Sequence, residues 1–416
     1  MKKKETFKYV MSIIVTAIVT CSITTIIVYN IAISPKNIET DNPVGGIVQS
    51  IGNLFDGNNV NNEISINEKM LDIKKKLEET YIWEIDDKKM EENALEGYVA
   101  GLGDEYTEYL TEQEVTSLME EANGAYVGVG LYIAQNSQTN EILVIGVIEN
   151  SPAHKAGILA GDVIKKVNNV EFTGEEVTKG SSTMKGVAGT KVKLTVKRDN
   201  KELEFEITRD VIKFVCITSE KLENNIGYIK ISSFDGGCAS DFEKAYKDLE
   251  KQNISSLIID LRNNGGGLVD ESLKIAELIV PKGSKMLITK DKNENEKVST
   301  SSKNPIINMP IVILTNEYTA SASEILTAAI RENIDTTVIG TKTFGKGIIQ
   351  GIFLFKDQKT GMKITMQEYF TPKHNKLHKI GITPDVEVQL SDELKGLSSI
   401  EKEDDVQLKK AIEVLK

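Results

Sequence analysis

The chain has 416 residues, 40% of them hydrophobic, and a formal net charge of −12. That length accommodates two or three domains with sizeable cores, and an acidic balance with no basic stripe argues against nucleic acid as a partner. Cys21, Cys216 and Cys238 make neither a disulfide framework nor a zinc spacing; one Cys216–Cys238 bridge and two buried free thiols are both open.

Lys2, Lys3, Lys4 and Lys8 precede an uncharged apolar run from about Tyr9 to Ile33. The run is long enough to cross a hydrocarbon core of roughly 30 Å. The upstream lysines favour the cytoplasmic side, which puts the rest of the chain outside. Residues 1–34 are therefore expected to be a cytoplasmic stub and a transmembrane anchor on an extracytoplasmic protein. A cleaved signal peptide is the rival, although no small-x-small site follows the run. Thr20 is a poor neighbour for lipidation of Cys21.

Residues 35–65, rich in Asn, Gly and Asp, read as a linker. Over 66–122 apolar residues recur at helical spacing, among them Leu71, Leu77, Tyr81, Met90, Leu95 and Tyr98. Gly101-Leu102-Gly103-Asp104 interrupts this helical segment, which resumes near Glu112.

Residues 123–211 change to short strands with glycine turns: 142–148, 162–167 and 191–198, with helices over 152–156 and 174–184. Gly128-Val129-Gly130-Leu131 opens this region. Glycines at that spacing let successive backbone N–H groups converge on a terminal carboxylate, and the following strand, 131–134, offers an edge to an extended peptide. With Ala156-Gly157-Ile158-Leu159-Ala160-Gly161-Asp162-Val163-Ile164 downstream, the region resembles a PDZ domain. An ordinary glycine-containing bend is the plainer alternative.

Residues 212–396 alternate strand and helix. Leu257–Leu261 and Ile311–Leu314 are continuous apolar strands of the kind buried on both faces of a parallel sheet. Helices are expected over 239–251, 270–279 and 323–331, a short strand at 338–340, and a hairpin over 351–370 turning near Lys359-Thr360-Gly361. Residues 397–416 end the chain in a charged amphipathic helix.

Three segments of this region carry chemistry. Asp260-Leu261-Arg262-Asn263-Asn264-Gly265-Gly266-Gly267 lies between an apolar strand and a helix, where backbone N–H groups could hold an oxyanion; a tight turn uses glycine for the same conformational reason. Asp260 and Arg262 read as a structural pair. In Thr319-Ala320-Ser321-Ala322-Ser323-Glu324 a sharp turn after a strand can lift Ser321 as a nucleophile, with the Ala322 N–H facing the oxyanion. Helix capping competes for these residues and suits Ser323 with Glu324.

Lys346, in Phe344-Gly345-Lys346-Gly347, becomes a base if burial lowers its pKa, with Phe344, Ile348 and Ile349 as apolar neighbours. Gln350 four residues on can hold the amine without adding charge. His154, His374 and His378 lie beside no nucleophile-like serine, so proton transfer falls to lysine.

Gly340 to Gly347 nearly fits a phosphate loop, but glycine replaces the hydroxyl residue that binds magnesium. His374 and His378 lack the glutamate of a zinc-peptidase helix, and no metal or organic cofactor is called for.

From about residue 66 onward the chain resembles the C-terminal processing peptidases. Gly103-Asp104-Glu105-Tyr106-Thr107, Asp260–Gly267, Thr319–Glu324 and Thr343–Gly347 stand at that family's motifs. Glu105 and Gly265 replace prolines, and Thr107 and Thr319 replace serines. The resemblance implies an α/β multidomain protein: a crotonase-like αβ protease core, an inserted β-rich PDZ domain and an N-terminal helical segment.

It implies a serine-type endopeptidase that reads substrate C-termini, with Ser321 as nucleophile, Lys346 as base, Gln350 assisting, and Gly267 and Ala322 as backbone oxyanion donors. Gly128, Val129, Gly130 and Leu131 would bind the peptide end. Lys185 stands where the family usually has arginine. Partners would be proteins or peptides with free C-termini and the membrane; the terminal helices could also pair two copies into a homodimer. A catalytically silent or gated PDZ adaptor is the alternative from another class.

Overall fold

The computed structural model describes residues 64–395 and 400–416. The apolar run of residues 9–33, Cys21 and nearly all of the expected linker lie outside these. Among the described residues no helix is long and apolar enough to cross a membrane.

The described residues up to Asp87 belong to a unit of their own. It contains helix α1 (Ile66–Thr80), started by a reciprocal cap: Ser65 Oγ accepts the Glu68 N–H, and the Glu68 carboxylate accepts the Ser65 N–H. Ile66, Leu71 and Ile73 on this helix are exposed.

The second unit runs from Lys88 to the C-terminus. It opens with α2 (Asp87–Ala100 by its helical bounds), then β1 (Glu108–Leu110) and α3 (Glu112–Asn123). The strand β1 breaks the helical run expected over 66–122. The alternation at Glu108-Tyr109-Leu110 is too short to register in sequence; the strand forms because it pairs with β18 (Gly361–Phe370), far away in the chain.

Residues 125–213 form the β-rich insert. The chain enters on β2 (Ala125–Gly128) and leaves on β9 (Asp210–Lys213), and the two pair antiparallel as a stalk. Between them β3 (Leu131–Asn136), β4 (Glu141–Val147), β5 (Val163–Val167), β7 (Lys191–Arg198) and β8 (Lys201–Thr208) pair in the order 3-4-5-7-8, with β6 (Val170–Glu171) beside β5. Short helix α4 (Pro152–Ala156) and helix α5 (Val177–Met184) close a separate apolar core that includes Ile142, Val144, Ile164, Leu194 and Val196.

The main core is a six-stranded sheet, ordered β10 (Ile217–Lys221), β11 (Ile226–Ile231), β12 (Ser256–Asp260), β15 (Ile311–Thr315), β16 (Thr336–Gly340) and β19 (Val386–Glu387). Every neighbouring pair is parallel except β10–β11. Side chains of the central strands alternate between two apolar clusters: Leu257, Ile259, Ile311 and Ile313 on one face, Ile258, Val312 and Leu314 on the other. Such strands read as unbroken apolar runs because both faces are covered.

Helices α6 (Cys238–Glu250), α7 (Val269–Glu277) and α8 (Ala322–Arg331) contribute to the first cluster, and α9 (Val406–Val414) to the second. The final helix is thus shorter than the span expected for residues 397–416.

Arg262 secures that final helix. Its guanidinium bonds Asp260, Asp405 and Gln407, all buried, and Asp405 also accepts the Leu408 N–H at the start of α9. Burial alone would raise the Asp260 carboxyl, but the adjacent guanidinium and the Tyr228 hydroxyl hold it below its ordinary value. Cys216 and Cys238 are two buried free thiols.

A second sheet joins β1, β18, β13 (Lys285–Asp291) and β14 (Glu296–Thr300), with β17 (Ile348–Leu354) antiparallel on the other side of β18. The hairpin β17–β18 therefore begins earlier than expected, and Asp357 organises its turn by accepting from the Lys359 and Thr360 N–H groups.

Candidate active site

The loops leaving the C-terminal ends of β12, β15 and β16 meet at one cleft of about 930 Å³, with Gly267, Ser321, Lys346, Ile348 and Gln350 among its walls. Carboxyl ends of parallel strands are where such sheets bind ligands, and each loop delivers one chemical group.

Ser321 stands at the N-cap position of α8 with φ 56° and ψ −118°. That region is rare for a side chain larger than glycine's and costs about 1–3 kcal/mol. The surroundings hold it there. Its N–H donates to the Glu324 carboxylate at 2.9 Å, and its carbonyl accepts the Tyr369 hydroxyl at 3.1 Å. Ser323, the better cap in sequence, lies inside the helix and donates to the Asn264 carbonyl. Thr319 donates to the Leu261 carbonyl. Both hydroxyls thus fasten the serine turn to the glycine loop.

Gly266 and Gly267 have φ of 111° and 135°. A Cβ on Gly266 would lie 2.8 Å from Ser321 Cβ, and one on Gly267 would lie 2.7 Å from the Phe234 carbonyl oxygen. Only glycine permits this approach. The flanking groups of Gly267 are used: Phe234 donates to the Gly266 carbonyl, and Leu268 donates to the Phe234 carbonyl. That parallel bridge turns the N–H of Gly267 away from Phe234. Among the described residues neither this N–H nor that of Ala322, in the first turn of α8, has a hydrogen-bond acceptor.

Lys346 donates to Gln350 Oε1 at 2.9 Å. Its amine is held below the ordinary lysine value, first by burial and then by nearby Lys363, while Glu108 opposes the shift. Phe344 does not supply the burial: it is 57% exposed. The ring over the ammonium is Tyr106, 5.1 Å away, from the loop before β1. Glycine on both sides of Lys346 has a steric cause, since a Cβ on Gly345 or Gly347 would strike the backbone of residues 378–381.

Glu324 unites the site. Its buried carboxylate accepts the Ser321 N–H, the Gly345 N–H at 2.8 Å, the Lys346 N–H at 2.9 Å and the Thr343 hydroxyl at 2.5 Å. Burial raises its pKa, and these four donors work against that rise. The phosphate-loop-like segment thus spends the N–H groups of Gly345 and Lys346 on an internal carboxylate, and those of Thr341, Thr343 and Phe344 on backbone carbonyls. No hydrogen bond joins Ser321 to Lys346 among the described residues, although both line the cleft.

Sequence reasoning missed Tyr106 as the cover and Glu324 as the hub. Glu324 had a signal, three positions after the serine where a reciprocal cap would place it; Tyr106 had none beyond its motif. His374 pairs with Glu296 at 2.8 Å and stacks on Phe370, whereas His378 lies edge-on to Tyr106.

In the insert, Gly128 to Leu131 line a groove of about 220 Å³ between the free edge of β3 and α5. The Val129 carbonyl accepts the Ala153 N–H, and the Gly130 carbonyl accepts the Ile148 N–H. In a trans peptide the next N–H points the opposite way, so the N–H groups of Gly130 and Leu131 turn away from those partners. Gly130 has φ 85°, and a Cβ there would lie 2.3 Å from Ser151 Cβ. Lys185, beside this groove, bonds Glu120 of α3 at 2.5 Å.

Comparison with known proteins joins these two halves. Residues 225–388 match the model of peptidase family S41, and residues 126–208 match a PDZ domain. The chain is 34% identical over 313 residues to the carboxy-terminal processing protease CtpA of Bacillus subtilis, covering 75% of this chain and 66% of that one. It is 33% identical over 340 residues to a CtpA-like serine protease of Staphylococcus aureus, covering 81% and 68%. The matched region spans about 60 to 68% of the length of such curated relatives. A solved structure of an S41 protease from Bacteroides fragilis shares the fold, with a TM-score of 0.51 at 16% identity over 80% of this chain and 92% of that one.

Proposed function

The chain belongs to peptidase family S41, and on that premise we propose that it is a serine endopeptidase that selects substrates by their C-termini. The observation that carries the proposal is the Glu324 carboxylate, which ties the Ser321 turn and the Lys346 loop into one cleft, with Lys346 on Gln350. We read the core as crotonase-like and the run of residues 9–33 as the anchor that holds it at the extracytoplasmic face of a membrane.

The groove at Gly128–Leu131 takes the terminal carboxylate on turned-out N–H groups, and the free edge of β3 adds the peptide as a further strand. In the cleft the scissile carbonyl lies against Ser321. The neutral Lys346 amine removes the hydroxyl proton as Oγ attacks the carbonyl carbon. The oxyanion that forms accepts from the N–H groups of Gly267 and Ala322, a contact realised most fully in the transition state. Lys346 then protonates the departing amine, and water, deprotonated by the same lysine, releases the acyl group. Gln350 orients the amine as a neutral partner, so it does not restore the ammonium.

The missing Ser321–Lys346 hydrogen bond favours a gated form of this reading, in which substrate binding completes the dyad. The test is cleavage of an unstructured protein by a fragment lacking residues 1–34, compared with Ser321→Ala and Lys346→Ala, with free and amidated substrate C-termini. Loss of cleavage in both variants and weakening on amidation are expected. Binding of C-terminal peptides by a folded parent that cleaves nothing, even with bound tails present, would sink the protease reading and leave an adaptor.

A further inference from the structure

Tyr106 lies in the loop between α2 and β1, 244 positions from Gln350, yet its carbonyl accepts a hydrogen bond from Gln350 Nε2. A carbonyl only accepts, so this bond decides which way the amide faces: Nε2 toward Tyr106, Oε1 toward Lys346. The same residue lays its ring 5.1 Å from Lys346 Nζ. The loop is itself pinned. Asp104 accepts the Tyr106 N–H at 3.2 Å and the Thr107 hydroxyl at 2.5 Å, and Thr107 Oγ1 accepts the Thr365 N–H of β18 at 3.1 Å.

We infer that Tyr106 is a positioning residue for the Lys346 base, its carbonyl fixing the Gln350 amide and its ring shielding Nζ from water. The inference rests on reading Lys346 as the base. A ring face also attracts a cation, so two effects compete. Burial leads the causes that hold Lys346 below its ordinary value, and the Tyr106 ring is part of the cover over Nζ; shielding is taken as the larger effect. The other charged or titratable groups around this lysine are Lys363 of β18 and Glu108 of β1, which act on its charge. Glu324 of α8 and Tyr369 of β18 bond its backbone, and His378 meets the Tyr106 ring in a T-shaped contact.

The test is the titration of Lys346, followed by NMR of carbon-13-labelled lysine side chains in the Ser321→Ala protein and assigned with Lys346→Met. Tyr106→Ala is expected to move that titration to higher pH. In the Ser321-containing enzyme it should lower kcat/KM at neutral pH about tenfold, with partial recovery in alkali, as a base left more protonated would. Tyr106→Phe keeps the ring and the carbonyl and restores the parent profile. Thr107→Val, which cuts the two bonds of the Thr107 hydroxyl while filling the same volume and leaves the Asp104 bond to the Tyr106 N–H, shifts the titration the same way by less. A titration unmoved in folded Tyr106→Ala or Thr107→Val, or Tyr106→Phe behaving as Ala does, overturns the inference. The titration needs no turnover, so an inactive parent would tell against the protease reading alone.

Discussion

The carboxylate of Glu324 accepts the backbone N–H of Lys346 at 2.9 Å, and through it the helix that begins after Ser321 holds the loop that carries the lysine. Replacing Glu324 with glutamine removes one acceptor oxygen and turns an NH2 group toward backbone donors. Glu324→Gln should lower kcat by a factor on the order of 10², leave KM for a C-terminal peptide nearly unchanged, and cost about 2–3 kcal/mol of stability, since a buried donor is left unpaired. Steady-state kinetics and urea unfolding measure both; wild-type kcat would refute the hub.

The lowered pKa of Lys346 fixes the sign of two pH effects. The folded state disfavours the ammonium, so the penalty is fully present below the folded-state pKa. It disappears as pH rises past the ordinary lysine value of 10.5. In the proposed mechanism the neutral amine is the base, so kcat/KM should fall with unit slope as pH drops through the folded-state value. Gln350→Glu adds a negative charge at 2.9 Å from the amine and should move that limb to higher pH. Lys346→Met should abolish cleavage while raising the melting temperature at neutral pH, because the disfavoured charge is gone.

Ser321 is held at positive φ by its neighbours. Ser321→Ala keeps that strain and Ser321→Gly releases it. The glycine variant should be more stable than the alanine variant by about 1 kcal/mol, with neither cleaving substrate. Equal stabilities in parallel thermal melts would show that the serine turn stores no strain.

Gly266→Ala places a methyl group 2.8 Å from Ser321 Cβ on a backbone with φ 111°. Cleavage should fall by a factor of 10² or more, as for loss of an oxyanion donor. C-terminal peptides should still bind, because the groove at Gly128–Leu131 lies in another domain core. Calorimetric titration of the variant separates the two effects, and lost peptide binding would contradict the division of labour.

Arg262→Met leaves Asp260 and Asp405 buried without their cation. The expected loss is about 3–5 kcal/mol, with earlier urea unfolding. The depressed Asp260 pKa gives the parent stability that is present above the unfolded-state value and lost as pH falls through the folded-state value. The variant should therefore show a flatter stability profile in acid.

Much of this protein was legible in the chain itself. The unbroken apolar runs at Leu257–Leu261 and Ile311–Leu314 announced strands covered on both faces, and the structure puts α6, α7 and α8 on one side and α9 on the other. The Gly128–Leu131 loop and the serine, lysine and triple-glycine segments were visible because each depends on local backbone geometry, which glycine and small residues encode directly. What the sequence by itself could not decide was the environment of Lys346. Phe344, two positions away, points out, while Tyr106 and Glu108 arrive from a loop and a strand that exist only through pairing with β18. The charge state of a lysine depends on desolvation and on charges within a few ångströms, and those neighbours are set by chain crossings that no local pattern records.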